Sequence, residues 1–359
     1  MNSNLMAEKI ELTPGYTISR VLNGCWQLSL GHSLDGNLDM ADVKKAFYEL
    51  CDRGFTTFDC ADIYTGAEEF IGEFIAEKKA SGNYQEEDIQ VHTKYVPDIS
   101  ILNKVDFAFT ESIIDRSLTR LNKEILDMVQ FHWWDYEVPG MIETAGYLDR
   151  LREKGKIRNV SVTNFDTPHL AMLVDAGIPI ASCQAQYSIF DRRPEKALQQ
   201  YCKVHGIGLI CYGTLSGGFL ADRYIGKDMA ALAPETRSQV KYRQVIEDTF
   251  GWDGFQQALK LLQEIADNHQ VALSQVATRY ILDQENVAAA VIGVRNSHHV
   301  EDNAKLFSFD LSADEKASLR RLISQFPNLE GEPFELERTV NSKYRNIMHM
   351  NINEEEQTS

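Results

Sequence analysis

From about Arg20 onward, the chain alternates short, β-rich apolar runs with amphipathic stretches of helical periodicity. This alternation is typical of a parallel sheet whose strands are joined by helical crossovers. Eight runs qualify as strands: Val21–Trp26, Thr56–Asp59, Ile89–Lys94, Met128–His132, Val160–Asn164, Ser182–Gln186, Gly208–Tyr212 and Ala289–Gly293. Helices are predicted between and after them, at Met40–Arg53, Glu68–Lys79, Phe107–Leu121, Met141–Glu153, Pro168–Ala176, Glu195–His205, Phe255–Asn268 with Ser274–Asp283, and Val300–Phe307. Eight such units predict an α/β protein, a (β/α)8 TIM barrel whose active site forms at the carboxyl ends of the strands.

We expect the 359 residues to form a single barrel domain, with the core at about 15–326 and a C-terminal extension at 327–359. The final residues, NEEEQTS, predict disorder. A second irregular segment is the long polar loop after the seventh strand, from residue 221 to about 252. Loops of this length are usually lids, binding loops or disordered segments.

The net charge of −17 disfavours nucleic acids and anionic membranes as partners, because both carry negative charge. The six cysteines are scattered without a CxxC pair, so we expect reduced core residues. We expect no metal, because no cluster of ligands has metal-site spacing. Without a leader or a run of about eighteen apolar residues, a cytoplasmic location is expected.

Polar side chains follow consecutive predicted strands. Asp59, Lys94 and His132 close strands two to four, and Tyr64 lies in the loop after Asp59. A free tyrosine has a pKa near 10, and a lysine ammonium within hydrogen-bonding reach favours the phenolate. We therefore predict that Lys94 makes Tyr64 acidic enough to donate a proton, that Asp59 holds Lys94, and that His132 bonds the carbonyl oxygen or the phenol. Taken singly, these residues have ordinary explanations: a loop turn for Asp59 and Tyr64, a solvated strand end for Lys94 and a core histidine for His132. The four together favour an active site.

The chain resembles the aldo-keto reductase superfamily in seven segments, which occur in the family's order between about Val21 and Leu306. They are FDCADIYTGAEEFIG, VHTKYV, DMVQFHWWD, VSVTNF, QAQYSIFDR, CYGTLSGGFL and VIGVRNSHHVEDN. The resemblance implies an oxidoreductase that binds NADPH or NADH in extended form at the C-terminal rim and reduces an aldehyde or ketone. It also implies that Tyr64 is the acid and that Asp59, Lys94 and His132 complete a tetrad.

No G-x-G-x-x-G follows a predicted strand, so a Rossmann-type cofactor site is unsupported. Instead, the glycine-containing loop after the seventh strand predicts a phosphate site built from backbone amides. Thr163 and Asn164 at the end of strand five and Gln184 at the end of strand six are neutral donors or acceptors that suit the carboxamide of a cofactor. From the resemblance, Tyr212 stacks on the nicotinamide. The full predicted cofactor site comprises Gly24, Cys25, Trp26, Thr163, Asn164, Gln184, Tyr212, Gly213, Leu215, Gly218, Gly293, Arg295, Ser297, His299, Asp302 and Asn303.

The last part of this site follows the eighth strand, where Asn296 and Ser297 are predicted near the N-cap of a helix. Its amides and Arg295 are expected to meet a phosphate, so Arg295 favours NADPH over NADH. The resemblance places Asp302 and Asn303 at the adenine. We interpret His299 as a residue that lies near the cofactor ribose or on the protein surface.

On the substrate side, Trp26, Tyr95 and Trp133 are predicted to form an aromatic-walled mouth that suits apolar or flat carbonyl compounds. Core packing is an equally good explanation for each of them. The tail Pro327–Arg338, which carries Phe334, is a candidate to fold over this pocket and set specificity.

Reduction of a small-molecule carbonyl with Tyr64 as proton donor is the leading function. One alternative is a cofactor-binding regulatory or scaffolding subunit of the same fold, with little turnover. Another is a barrel hydrolase that uses His132 with Asp59, which lacks a metal cluster or an activated nucleophile. The sequence leaves open the substrate, the direction of the reaction and the oligomeric state.

Overall fold

A hairpin that the sequence analysis did not predict precedes the barrel. The computed structural model describes residues 5–29, 38–82, 85, 88–229, 234–348 and 350–351. Strands β1 (Lys9–Thr13) and β2 (Tyr16–Ser19) pair antiparallel, and Gly15 turns between them at a φ of 76°. The hairpin and the barrel interior share one buried cluster, which includes Leu12, Tyr16, Ile18, Leu22, Met128, Ala181 and Ile210. Because β2 leads directly into the first barrel strand, the hairpin covers the N-terminal end of the barrel.

Eight parallel strands form the closed barrel. They are β3 (Val21–Gly24), β4 (Thr57–Asp59), β5 (Gln90–Tyr95), β6 (Leu126–Phe131), β7 (Ile157–Thr163), β8 (Ile180–Gln186), β9 (Gly208–Tyr212) and β10 (Val287–Gly293). Strand β10 returns to β3, with Ala290 opposite Val21 and Gly293 opposite Gly24. The predicted (β/α)8 barrel is confirmed, and each predicted strand overlaps an observed one.

Twelve α-helices are described. They are α1 (Met40–Asp52), α2 (Ala67–Ala80), α3 (Phe107–Arg120), α4 (Met141–Glu153), α5 (Thr167–Asp175), α6 (Leu198–His205), α7 (Arg237–Thr249), α8 (Gly251–His269), α9 (Leu273–Leu282), α10 (His299–Lys305), α11 (Ala313–Ile323) and α12 (Glu335–Arg338). Aspartates begin several of them: Asp39, Asp106 and Asp166 accept backbone N–H groups in the first turns of α1, α3 and α5. Within the described ranges, none of the helices is both long enough and apolar enough to span a bilayer.

The long connection after β9 contains helix α7, so it is not an irregular loop throughout as predicted. Thr236 begins the helix by accepting the N–H of Gln239, and the helix buries Tyr242, Val245 and Ile246. A Cβ at Gly213 would lie 2.3 Å from the Tyr242 hydroxyl. Helix α7 therefore packs closely against the glycine loop that follows β9.

The C-terminal extension crosses the carboxyl ends of the barrel strands. We call residues 327–348 and 350–351 the C-terminal strap. Lys196 Nζ, after β8, donates to the carbonyls of Leu329 and Gly331, at 3.1 Å each. Near the other end, the N–H of Ile99, after β5, donates to the carbonyl of Met350 at 2.9 Å. The strap thus joins loops that belong to separate β/α units. The segment NEEEQTS, for which disorder is predicted, lies outside the described residues.

Candidate active site

The carboxyl ends of β4 and β5 bring Asp59, Lys94 and Tyr64 together. Lys94 Nζ lies 2.8 Å from Asp59 Oδ2 and donates to the carbonyl of Cys60 at 2.9 Å. The same ammonium lies 5.1 Å from the centre of the Tyr64 ring. Both side chains of the ion pair are buried, at 6% and 5% exposure. Although burial opposes the charged form, the Asp59 carboxylate raises the pKa of Lys94, so this lysine is a permanent cation beside the phenol.

Two glutamines fix the Asp59 carboxylate from inside the barrel. Gln130 Nε2 donates to Asp59 Oδ1 at 2.9 Å, and Gln184 Nε2 donates to the same oxygen at 2.6 Å. The sequence analysis missed Gln130, although a fully buried amide in the apolar strand DMVQF was the available signal. It assigned Gln184 to the carboxamide of a cofactor, but the Gln184 amide nitrogen is committed to Asp59.

The pKa of Tyr64 is shifted in the direction opposite to the predicted one. Burial raises it to about 12, while the charge of Lys94 acts to lower it. The attraction of Lys94 does not prevail because burial has the larger effect, and the charge of Asp59 also raises the pKa of Tyr64. Tyr64 therefore holds its proton at neutral pH, which is the form that a proton donor requires.

His132 follows β6 and is neutral. Burial lowers its pKa to about 3, and the charge of Arg338 lowers it further. Its Nδ1 lies 3.0 Å from the carbonyl oxygen of Thr163, which can only accept, so Nδ1 carries the proton. Nε2 is consequently a bare acceptor, and it is buried with no partner among the described residues. Of the two predicted partners, the phenol is compatible because its hydroxyl can donate to Nε2, whereas a carbonyl oxygen, which can only accept, is not.

The ends of β3 and β10 meet at the closure of the barrel. Gly24 and Gly293 are opposite each other, and the side chain of Gln27 lies where a Cβ of Gly293 would be. The N–H of Cys25 donates to the carbonyl of Asp59 at 2.9 Å, and the thiol is buried. The half-exposed ring of Trp26 lies 4.8 Å from that of Tyr64. These predicted cofactor residues thus border the tetrad.

Predicted cofactor residues also surround the ends of β7 and β9. The hydroxyl of Tyr212, whose ring is half-exposed, donates to Asn164 Oδ1 at 2.8 Å. Thr163 Oγ1 donates to the side-chain oxygen Oε1 of Gln184 at 3.4 Å. Beyond Tyr212, Gly213, Ser216, Gly217 and Gly218 have φ values between 49° and 88°, and Leu215 is half-buried between them.

One residue of this glycine loop, Ser216, was missed by the sequence analysis. Its hydroxyl is buried, and no described residue bonds it. A buried hydroxyl without a partner is costly unless a ligand satisfies it. The loop fits a phosphate group, which would supply that acceptor.

The segment after β10 differs in part from its prediction. Helix α10 starts at His299, and the N–H and hydroxyl of Ser297 both donate to the carboxylate of Asp42 on α1, at 3.1 and 2.6 Å. Ser297 directly precedes the N-cap residue, His298, but its own donors are occupied by Asp42. Arg295 and His299 are exposed, and Asp302 and Asn303 are half-buried on the first turns of the helix.

Two predicted substrate residues belong to the core. Tyr95 is fully buried between β5 and α3, and its hydroxyl lies 3.1 Å from that of Thr110. Trp133 is fully buried below the rim, and its Nε1 donates to the carbonyl of Val138 at 3.1 Å. Tyr95 points away from the barrel axis because it directly follows the inward-facing Lys94. Neither side chain lines a pocket.

Phe334 on the strap covers His132, as the prediction for the tail suggested. The two rings meet edge to face, with centres 5.4 Å apart, and Phe334 has a φ of 62°. Next to it, Glu337 is buried against Arg193 Nη1 at 3.3 Å and Lys241 Nζ at 2.9 Å. These ion pairs fasten the strap to the loop after β8 and to α7.

Comparisons with known proteins agree with this geometry. Residues 20–324 match the model of the Aldo/keto reductase family. Pyridoxal reductase from Arabidopsis thaliana chloroplasts is 27% identical over 339 residues, covering 89% of this chain and 87% of that protein. The NADH-specific methylglyoxal reductase of Escherichia coli is 26% identical over 338 residues, covering 89% and 98%. The structure of glycerol dehydrogenase from Gluconobacter oxydans superimposes with a TM-score of 0.73 at 23% identity, covering 93% of this chain and 99% of that one. The family match spans all eight barrel strands.

Proposed function

Because this chain belongs to the aldo/keto reductase family, we propose that it reduces an aldehyde or ketone to the alcohol with a nicotinamide dinucleotide, NADPH in preference to NADH. Tyr64 is the proton donor. The observation that carries this proposal is the buried Lys94–Asp59 ion pair beside the neutral phenol of Tyr64. A phenol beside a fixed ammonium can release a proton to a developing alkoxide and leave a phenolate that the ammonium stabilises.

When bound, the reduced nicotinamide supplies the hydride to the carbonyl carbon. The protein's own part is to manage the proton. The Tyr64 hydroxyl gives its proton to the carbonyl oxygen, and the phenolate that remains lies beside Lys94. Asp59 keeps Lys94 charged, and the two glutamines keep the carboxylate in place. His132 Nε2 is able to accept a hydrogen bond from the alcohol once it has formed.

For the cofactor, Tyr212 offers an aromatic face at the end of β9, and the loop with the buried Ser216 hydroxyl offers a place for phosphate. The preference for NADPH rests on the exposed Arg295, a fixed charge that can pair with a 2′-phosphate. Asp42 works against the preference for NADPH, because its carboxylate occupies the donors of Ser297. The balance between Arg295 and Asp42 sets the preference in this proposal.

The test begins with fluorescence titrations of NADPH and NADH, followed by turnover of an aldehyde and ketone panel with the tighter-binding nucleotide. Tyr64→Phe should lower kcat at least about 100-fold, the usual contribution of a positioned acid, and should change the nucleotide Kd by less than about twofold. Tyr48→Phe is the matched control, since the Tyr48 hydroxyl bonds Glu77 on the helix surface. Wild-type turnover by Tyr64→Phe, or a wild-type protein that binds neither nucleotide, would contradict the proposal.

A further inference from the structure

Arg338, the last residue of α12, is a partly buried cation beside the reaction centre. Its Nη2 donates to the carbonyl of Trp133 at 2.9 Å. Its Nε and Nη1 are buried, and no acceptor within the described ranges bonds them. The guanidinium carbon lies 4.1 Å from the centre of the Tyr136 ring and 5.1 Å from that of Phe334. Aromatic faces attract a cation, but they do not satisfy its N–H groups.

The carboxylates nearest to Arg338 are engaged elsewhere. Asp166 begins α5 and lies 2.7 Å from His169 Nδ1. Glu337 is held by Arg193 and Lys241. Burial lowers the pKa of Arg338, and these carboxylates only partly oppose that shift. The guanidinium is therefore a charged group with unused hydrogen-bonding capacity.

The cluster at Arg338 contains three cations and three carboxylates, so its formal charge is balanced in an otherwise acidic protein. The cations are Arg193, Lys241 and Arg338, and the carboxylates are Asp191, Glu337 and Asp166. The whole chain carries a net charge of −17. Two of these cations flank the ring of Phe334, with Lys241 Nζ 5.4 Å and the Arg338 carbon 5.1 Å from its centre. That ring in turn touches His132.

We propose that the substrate carries a carboxylate or phosphate group in addition to its carbonyl, and that Arg338 binds this anion. The inference rests on the proposed function, since it names the substrate class of the same site. An anion placed beside Phe334 would accept a charge-assisted hydrogen bond from one of the unpartnered donors, Nε or Nη1, together with the remaining N–H of Nη2. Lys241 Nζ, which lies 5.4 Å from the centre of the same ring, adds attraction.

Entry of the anion requires movement of Phe334. A non-glycine residue with a φ of 62° has a strained backbone, so a shift of this residue relieves strain as it uncovers Arg338. The same shift uncovers Nε2 of His132, which Phe334 covers. Binding of the charged end is thereby coupled to access for the carbonyl end.

Three matched aldehydes test the proposal: 4-carboxybenzaldehyde, 4-formylphenyl phosphate and the neutral 4-formylbenzamide. We expect kcat/KM for an anionic aldehyde to exceed that for the neutral one by about tenfold or more, mostly through KM, as for a charge-assisted bond. Arg338→Met should bring this ratio close to one, and Arg338→Lys should keep part of it. A higher kcat/KM for the phosphate or for the carboxylate assigns the anion, and either supports the proposal.

Lys343→Met is the matched control, because Lys343 is a strap cation that pairs with Asp248 on the surface. It should leave the ratio unchanged. A wild-type ratio near one, or the wild-type ratio in Arg338→Met, would overturn the inference. Calorimetric binding of the unreactive 4-carbamoylbenzoate, about tenfold weaker in Arg338→Met, provides a readout without turnover. If no aldehyde is reduced, the proposed function fails, and the calorimetry still decides whether the anion site exists.

Discussion

Substitution of Glu337 by glutamine should release the strap while leaving the barrel folded. Glu337 is buried between Arg193 and Lys241. Although burial works against its charged form, these two cations hold the pKa of this carboxyl at about 2. An unfolded glutamate titrates near pH 4.3, so the interaction is worth about 3 kcal/mol at neutral pH. This contribution is fully present above pH ~4.3 and is lost as the pH falls to about 2.

The loss in Glu337→Gln should be local, because Arg193 keeps its contacts with Asp191 at 2.7 and 2.9 Å. Lys241 alone loses its carboxylate. We therefore expect the strap to open as a unit well below the free energy of global unfolding. About 3 kcal/mol corresponds to faster exchange of strap amides by a factor of about 100. The amides to follow are those of Arg338 and Thr339, which bond the carbonyls of Phe334 and Glu335.

Hydrogen exchange read by mass spectrometry at pH 7 measures this effect, with peptides from β6 and β8 as internal references. Glu330→Gln is the control, since Glu330 is an exposed carboxylate of the same strap. It should exchange like the wild type. Unchanged strap exchange in Glu337→Gln, or equal acceleration in the barrel strands, would refute the reasoning that Glu337 fastens the strap.

Two further predictions concern the cofactor and the barrel interior. Arg295→Ala should weaken NADPH binding about tenfold more than NADH binding, and Asp42→Asn should tighten NADPH alone by several-fold, as an anion leaves the Ser297 donors. Both are measured by nucleotide titration, and equal changes for the two nucleotides would exclude a role at the 2′-phosphate. Gln130→Met removes one donor from Asp59 and should cost about 1–3 kcal/mol in urea unfolding. A variant as stable as the wild type would show that Gln184 and Lys94 suffice.

The barrel could be predicted from the sequence because the apolar spacing that marks each strand and helix is a local pattern. Each barrel strand and most helices could be predicted from apolar spacing, and Asp59, Lys94 and Tyr64 follow from the rule that parallel strands present their carboxyl ends together. The motif resemblance is confirmed by the family match over residues 20–324. Helix α7 was not predicted because three of the six side chains that it buries are polar, namely Gln239, Lys241 and Thr249.

What could not be predicted depends on contacts between distant parts of the chain. Glu337 meets Arg193 across 144 residues, and no local pattern marks either as a partner. The pKa of Tyr64 depends on how much water the surrounding loops exclude, which the sequence does not show. Tyr95 and Trp133 looked like pocket residues because aromatic side chains suit both a pocket and a core. The donors of Ser297 were occupied by Asp42 on a helix that the motif does not contain.

The strap also has a consequence for how the protein is made. It is the last described part of the chain, so a ribosome completes all eight barrel strands before Phe334, Glu337 and Arg338 emerge. Chains fold from the N-terminus during synthesis. The newly made barrel therefore exists for a time without the strap across its rim. Proteolytic loss of the strap would return the barrel to that earlier form, with its rim uncovered.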